Sequence, residues 1–518
     1  MRCSMHDALK VACRIQHRPL LTVQMKFALL MAAIMTLSSF ASAQQEGISD
    51  PEISVAVNNA LRRDQAVSAH LIDVTTLDGI VTLKGEVGNI LEKDRAVGVT
   101  HAVKGVRSVV NQIDVLPVMR SANKIRADVV SALWADPVTE PYDIDVSVDP
   151  GQASVELRGE VQSFAEKEIA TNVVKGVKGV RSVENNLRVA TAGKGRPDIE
   201  IKTEIERLLH NDPYINHTNI EVEVTGGKVK LSGRVGSSAE KRAAFRKSWV
   251  SGVTNIKYKN LAVDWKASEN LKNQPQDQAL SDEEVKQIVK DALFHDPRTK
   301  AFDIEVEVDN NVVTLDGKVS NLKAKRAAQQ DARNSIGVKE VNNYLVVRLA
   351  SPGDKEIQSQ VVAAIRRDPI VERHEITPVV RNQKVYLYGK VDSYYEKAHV
   401  ADIISAVKGV VAVSNMLDVP EVWTSKKDFE IRENIKDEYF WSGYVNEDDV
   451  KVSVKEGLAI LEGEVNSWTE YHAAVNNAFN GGARAVQSKL QLAGAKDADL
   501  GTTFFYDTYS FHPGERVF

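Results

Sequence analysis

Apolar and polar positions alternate along the chain in blocks that recur six times. In the third block Ile220, Val222 and Val224 alternate with polar residues, Gly226-Gly227 follows, and Val229, Leu231, Gly233 and Val235 resume the alternation. A period of two on both sides of a Gly-rich break predicts a β-hairpin. Before each hairpin the period changes. Val285, Ile288, Val289, Ala292 and Leu293 fall at i, i+3, i+4, i+7 and i+8, behind Ser281 and Glu284 spaced as a capping box, which predicts an amphipathic helix with a defined start. The first block repeats this with Asp50 as cap, Pro51 and then Ile53, Ala56, Val57, Ala60 and Leu61; the fifth with Ile357, Val361, Ala364 and Ile365. Four of these helices run into Asp-Pro, at Asp136, Asp212, Asp296 and Asp368. Proline disfavours helix for the residue before it, so each predicts a corner, with the aspartate as a local backbone hydrogen-bonder. A second helix, such as 324–331, and a last strand, such as 106–115, complete the block.

The expected unit is helix, strand, strand, helix, strand: an α+β module with a three-stranded sheet covered on one face by two helices. Six glycines hold the same place in the second strand, at Gly85, Gly159, Gly233, Gly317, Gly389 and Gly463, spaced 74, 74, 84, 72 and 74 residues apart. A glycine inside a strand predicts a bulge or a close approach of backbone. A second set precedes the last strand, at Gly105, Gly179, Gly252, Gly337 and Gly409; the sixth block has Gly481-Gly482-Ala483 there. This framework, ending in Gly-Val-x-x-Val-x-Asn-x-Leu-x-Val, resembles the BON domain (bacterial OsmY and nodulation). The resemblance covers nearly all of 48–492. It implies a periplasmic location, binding to phospholipid or a membrane surface, and a role in envelope integrity or osmotic stress.

The expected organisation is a signal segment over 1–43, modules at 48–117, 120–190, 197–265, 281–348, 352–420 and 426–493, a linker at 266–280 and an aromatic tail at 494–518. The sixth module diverges most, with Trp441-Ser442-Gly443 at its corner. The Lys-, Asn- and Gln-rich linker either divides the modules into two sets of three or is a surface loop. The tail, with Phe504, Phe505, Tyr506, Tyr509, Phe511 and Phe518, has three readings: docked on the last module, partner- or membrane-binding, or disordered. At the other end, Lys26, the apolar run from Phe27 to Leu37 and Ala41-Ser42-Ala43 read as a secretory signal cleaved near Ala43, with Met25 as an alternative start.

Both cysteines, Cys3 and Cys13, precede that cut, so the exported chain has no disulfide or thiolate site. The overall net charge is −5, and the removed segment carries +4, leaving −9. That sign, with export, disfavours nucleic acid as a partner. No phosphate-binding loop, dinucleotide fingerprint, zinc-protease motif or nucleophile elbow is present, so neither a catalytic site, a cofactor nor a metal is expected. His210 and His217 are close in sequence but lack a third ligand.

The residues without an evident structural purpose lie at the end of the first helix. Trp134, Phe294, Phe440 and Trp441 sit at that corner, Tyr214 lies just beyond it, and Arg62, Arg63, Arg366 and Arg367 occupy it in the first and fifth modules. Aromatic rings and cations on a protruding corner suit a lipid interface. The alternative is that they pack on their own core or on a neighbouring module. The expected partner is therefore an anionic phospholipid surface, bound by several weak sites at once, although a charge of −9 opposes this unless basic residues cluster. The rival expectation is a scaffold for other envelope proteins or peptidoglycan; an enzyme with an unfamiliar site is a third.

Overall fold

The computed structural model describes residues 47–190, 195–266, 280–348, 352–420 and 426–493, and the backbone of 502–505. The expected signal segment and most of the linker and tail lie outside the described residues.

Residues 50–493 form six modules of one pattern. The first comprises α1 (Asp50–Arg63), β1 (Ile72–Leu77), β2 (Ile80–Val87), α2 (Ile90–His101) and β3 (Ser108–Val115); the second α3 (Ala122–Ala135), β4 (Asp145–Val148), β5 (Ser154–Val161), α4 (Phe164–Lys175) and β6 (Ser182–Val189). The third comprises α5 (Asp198–His210), β7 (Ile220–Thr225), β8 (Lys228–Val235), α6 (Ser238–Lys247) and a last strand in two pieces, β9 (Asn255–Lys257) and β10 (Leu261–Val263). The fourth repeats this with α7 (Asp282–His295), β11 (Ile304–Asp309), β12 (Val312–Val319), α8 (Leu322–Arg333), β13 (Glu340–Asn343) and β14 (Val346–Val347). The fifth has α9 (Asp354–Arg367), β15 (Thr377–Arg381), β16 (Lys384–Lys390), α10 (Tyr394–Ser405) and β17 (Ala412–Asp418). The sixth has α11 (Asp428–Trp441), β18 (Val450–Lys455), β19 (Leu458–Val465), α12 (Trp468–Asn480) and β20 (Ala485–Leu492), and its sheet gains β21 (Thr502–Phe505).

In each sheet the middle strand pairs antiparallel with the first and parallel with the last. The helix crossing between the parallel strands covers one face. The central strand supplies the core in alternation: Val81 and Leu83, Val155 and Leu157, Val229 and Leu231, Val313 and Leu315, Val385 and Leu387, and Ala459 and Leu461 are all fully buried. Each large aliphatic side chain contributes roughly 1.5–3 kcal/mol by leaving water.

The strand glycines have the close approach the sequence predicts. At Gly159 φ is +141°, and a Cβ would lie 2.6 Å from the carbonyl oxygen of Asp143 in the chain entering β4. The second glycine set turns the chain onto the start of its own first helix; a Cβ on Gly252 would meet Ile201 at 2.9 Å.

Asp50 does more than begin a helix. It lies within α1, and its carboxylate accepts from the amides of Asp78 and Gly79 in the hairpin turn. Asp198, Asp282, Asp354 and Asp428 do the same for their own turns. Those turns have positive φ at both central residues, Asn310 and Asn311 for example, or Glu456 and Gly457, as two-residue turns matched to strand twist require. The aspartate thus compensates a strained turn with two charge-assisted hydrogen bonds. At Ser281 the expected capping box is present, with Glu284 returning the bond.

Candidate functional site

The corner after the first helix is fixed from two sides. Asp136 accepts from the amides of Val138 and Thr139, and Asp368 from Ile370 and Val371, the backbone role the sequence assigns them. From the other side, the third residue of the second helix reaches across. Glu240 accepts from Asn216 and Gly236, and Glu470 from Asn446 and Asn466. Glu92, Glu166, Glu240, Glu396 and Glu470 are buried in this way; the fourth module has Ala324 instead.

The last three helical positions face three ways. Three before the corner lies a core residue: Leu61, Leu133, Leu209, Leu293, Ile365 or Tyr439. Two before it, Arg62, Trp134, Phe294 and Arg366 are exposed, the aromatics by 66% and 63%. His210 holds this place in the third module, is exposed, and hydrogen-bonds His217 at 3.1 Å. Phe440 holds it in the sixth and is half-buried, with the Lys104 ammonium 4.8 Å from its ring. One before the corner, Arg63, Arg367 and Trp441 turn into contacts with another module. Arg63 pairs with Glu438, the Arg367 carbonyl accepts from Lys178 at 2.7 Å, and the Trp441 carbonyl accepts from Lys104 at 2.8 Å. Burial lowers the pKa of both arginines, against the attraction of Asp437 for Arg63 and of Asp128, Asp368 and Asp136 for Arg367. Tyr214 stacks on Tyr444, centroids 5.0 Å apart. The corner residues therefore divide into an outward set (Arg62, Trp134, Phe294, Arg366) and a seam set (Arg63, Arg367, Tyr214, Phe440, Trp441).

The seams pair module one with six, two with five and three with four, and Tyr214 against Tyr444 also brings three onto six. Lys408 with Glu140 at 2.8 Å and Lys178 with Glu372 join two to five. Arg207 with Asp291, and His295 with Glu204 at 3.4 Å, join three to four. Within the first three modules, second helices meet start to end in a closed ring. Phe164 stacks on Trp249 at 4.3 Å, Ser238 hydrogen-bonds His101 at 2.5 Å, and Asp94 pairs with Lys175 at 2.6 Å. The same kind of contact joins four to five through Lys323 and Asp402 at 3.3 Å, and four to six through Arg333, 5.0 Å from the Trp468 ring centroid.

Two features escaped the sequence reading. Burial, aided by Arg242 and Arg246, pushes His101 down to about 3; a histidine late in a helix gave no hint of a cross-module role. On the open sheet face of the fifth module, Tyr388 and Met416 stand side by side, both exposed, with Lys384 5.0 Å from the Tyr386 ring centroid. The alternation Lys384-x-Tyr386-x-Tyr388 signalled that stripe. Among the described residues one carboxylate–histidine group has metal-like spacing, His374 with Asp392 and Glu396, but Arg373 already pairs with both acids, at 3.0 and 2.5 Å. No helix among the described residues is long and apolar enough to cross a membrane.

The BON domain model matches residues 49–117, 121–191, 197–264, 281–348, 353–421 and 427–494. The chain belongs to the BON domain family. It is similar to osmotically-inducible protein Y of Escherichia coli (strain K12), 39% identical over 119 residues, 22% of this chain and 59% of the relative. It is also similar to the outer membrane lipoprotein DolP of Haemophilus influenzae, 31% identical over 103 residues, 19% of this chain and 53% of the relative. The chain thus spans somewhat over half the length of these relatives. Among solved structures, CdsD, a structural protein of the type III secretion system of Chlamydia trachomatis, aligns over 44% of this chain and all of its own, at 16% identity and a TM-score of 0.12, too low to carry an argument.

Proposed function

We propose that this is a non-enzymatic, exported envelope protein, its signal cleaved near Ala43, whose six-module body binds phospholipid surfaces through the outward residues of its first-helix corners. The supporting observation is that one helix position, two before the corner, carries exposed Trp134 and Phe294 in modules two and four and exposed Arg62 and Arg366 in modules one and five. Large exposed aromatics forgo burial in the fold and gain it in a bilayer interface, while arginine gains from anionic headgroups. Relatives described as an osmotically inducible protein and as an outer membrane lipoprotein agree with a role in the envelope under osmotic stress.

Co-sedimentation of residues 44–518 with anionic and zwitterionic vesicles across a salt series tests this. Binding is expected to be anionic-selective and to weaken with salt. Trp134→Ala with Phe294→Ala should lower vesicle affinity at least about tenfold, with an unchanged melting temperature because neither ring is buried. Loss of stability without loss of binding would overturn the assignment. The scaffold reading draws support from the seam set, since those corners bind protein; deletion of 494–518 should then remove a pull-down partner and leave vesicle binding intact.

A further inference from the structure

In modules one to five the last strand is a sheet edge among the described residues, and exposed edges recruit strands unless blocked. Here the blocking device is an asparagine. In the first module the Leu116 amide donates to Val87 on the central strand. Alternation along the strand then points the Ile113 amide outward. Asn111 folds over the edge and accepts it at 3.0 Å. Asn185, Asn343 and Asn415 accept the corresponding amides of Leu187, Leu345 and Leu417 at 3.0, 3.2 and 3.3 Å. These three also donate to a second-helix carbonyl, of Lys167, Lys325 and Lys397 at 2.7, 2.9 and 2.6 Å, which locks the side chain over the edge. In the third module the edge strand is instead broken between β9 and β10.

The sixth module has Ser488 at that position. Its hydroxyl makes a long contact with the Leu490 amide, 3.4 Å, and bonds the Tyr471 side chain on α12, but it has no side-chain amide to donate to a helix carbonyl as the asparagines do. This is the edge that carries an added strand. β21 pairs antiparallel with β20, Ser488 opposite Thr502 and Val486 opposite Phe504. The Ala493 amide donates to Val465, so Leu490, Ser488 and Val486 direct their amides outward, toward β21.

We propose that the β20 edge is a peptide-binding site for an extended, uncharged segment of β-branched and aromatic residues from another protein, and that Thr502–Phe505 is its displaceable intramolecular ligand. The resident strand defines the chemistry: two threonines and two phenylalanines, without charge. It is only four residues long and tethered through residues 494–501. Its hold therefore rests on effective concentration rather than extensive pairing, and a free strand that pairs further along the edge can compete. Main-chain bonding supplies affinity, as in other cases of strand addition.

The probe is a fluorescent peptide of residues 501–506, read by anisotropy against the full chain. With Thr503→Pro and Phe504→Pro in the tail, which removes its ability to pair, the chain should bind the peptide at least about tenfold more tightly than the unmodified chain. Independently of any variant's folding, a peptide N-methylated at Thr502 and Phe504 should fail to bind, whereas one methylated at Thr503 and Phe505 should bind, because only the first pair faces the outward amides. Excess parent peptide should also accelerate hydrogen exchange at 502–505 in the unmodified chain. The proposal is overturned if the proline variant does not bind or if both methylated peptides behave alike. It is equally overturned if the unmodified chain dimerises through its tail and the proline variant does not, which would make a second copy the occupant.

Discussion

Gly159 carries two constraints at once: a φ of +141° and a Cβ position 2.6 Å from the Asp143 carbonyl oxygen. Either alone strains an alanine, and the backbone oxygen cannot swing aside as a side chain could. Gly159→Ala should cost about 3 kcal/mol, read as a lowered denaturation midpoint at unchanged slope. Gly98, a helical glycine with nothing near its Cβ position, provides the control, since Gly98→Ala should stabilise slightly. His101 makes a pH prediction at the same scale. Its folded pKa lies near 3 against an ordinary 6.5, chiefly from burial and secondarily from Arg242 and Arg246. Between those values the unfolded chain binds a proton that the folded chain refuses, so stability falls as pH drops through 6.5 toward 3. His101→Gln should flatten that part of the melting-temperature profile, and an unchanged profile would remove His101 as its source.

Elements were legible where one period dominated. Val285 to Leu293 and Val229 to Val235 each state a helix or a strand in their own spacing, and the structure has both. The corner residues were only half legible. Trp134 and Trp441 look alike in sequence, yet they sit two and one residues before the corner, a step of about 100° apart around the helix; Trp134 is exposed, whereas Trp441 enters a seam through its carbonyl, and even Phe440, at Trp134's phase, is half-buried against Lys104. That phase could have been counted from Leu133 and Tyr439. What lay opposite could not, because seam partners such as Lys104 and Glu438 are hundreds of residues apart and carry no local pattern. The same holds for Phe164 and Trp249, which stack at 4.3 Å with an interplanar angle of 9° between two modules. A double-mutant cycle of Phe164→Ala and Trp249→Ala should show coupling of about 1 kcal/mol. Additive effects would mean that each ring serves only its own module.

On the scale of the whole molecule, the first three modules close on themselves and meet the last three chiefly in pairs, six on one, five on two and four on three, with further contacts of six on three through Tyr444 and Tyr214 and of five on one through Tyr395 and Gln65. Half-exposed ion pairs contribute at most about 1 kcal/mol each to such seams, so salt alone should not part them. The backbone contacts are the stronger constraint. The Gly443 amide donates to the Ala102 carbonyl at 2.7 Å, Lys104 returns the bond to Trp441, and Val103 and Ser442 form an isolated antiparallel bridge. This gives a physical reason for the divergent Trp441-Ser442-Gly443 corner: a Cβ at position 443 would lie 2.8 Å from the Ala102 oxygen and 3.4 Å from the Ser237 side chain. Both neighbours belong to other modules. Gly443→Leu should therefore leave the sixth module folded and open its seam with the first. Small-angle scattering should show a larger radius of gyration, and circular dichroism an unchanged secondary structure. If binding to vesicles depends on corners held in fixed relation, the opened chain should also bind more weakly with Trp134 and Phe294 intact, because multivalent gain is lost when sites cannot engage together. An enlarged particle that binds as before would assign the affinity to a single corner rather than to the assembled six.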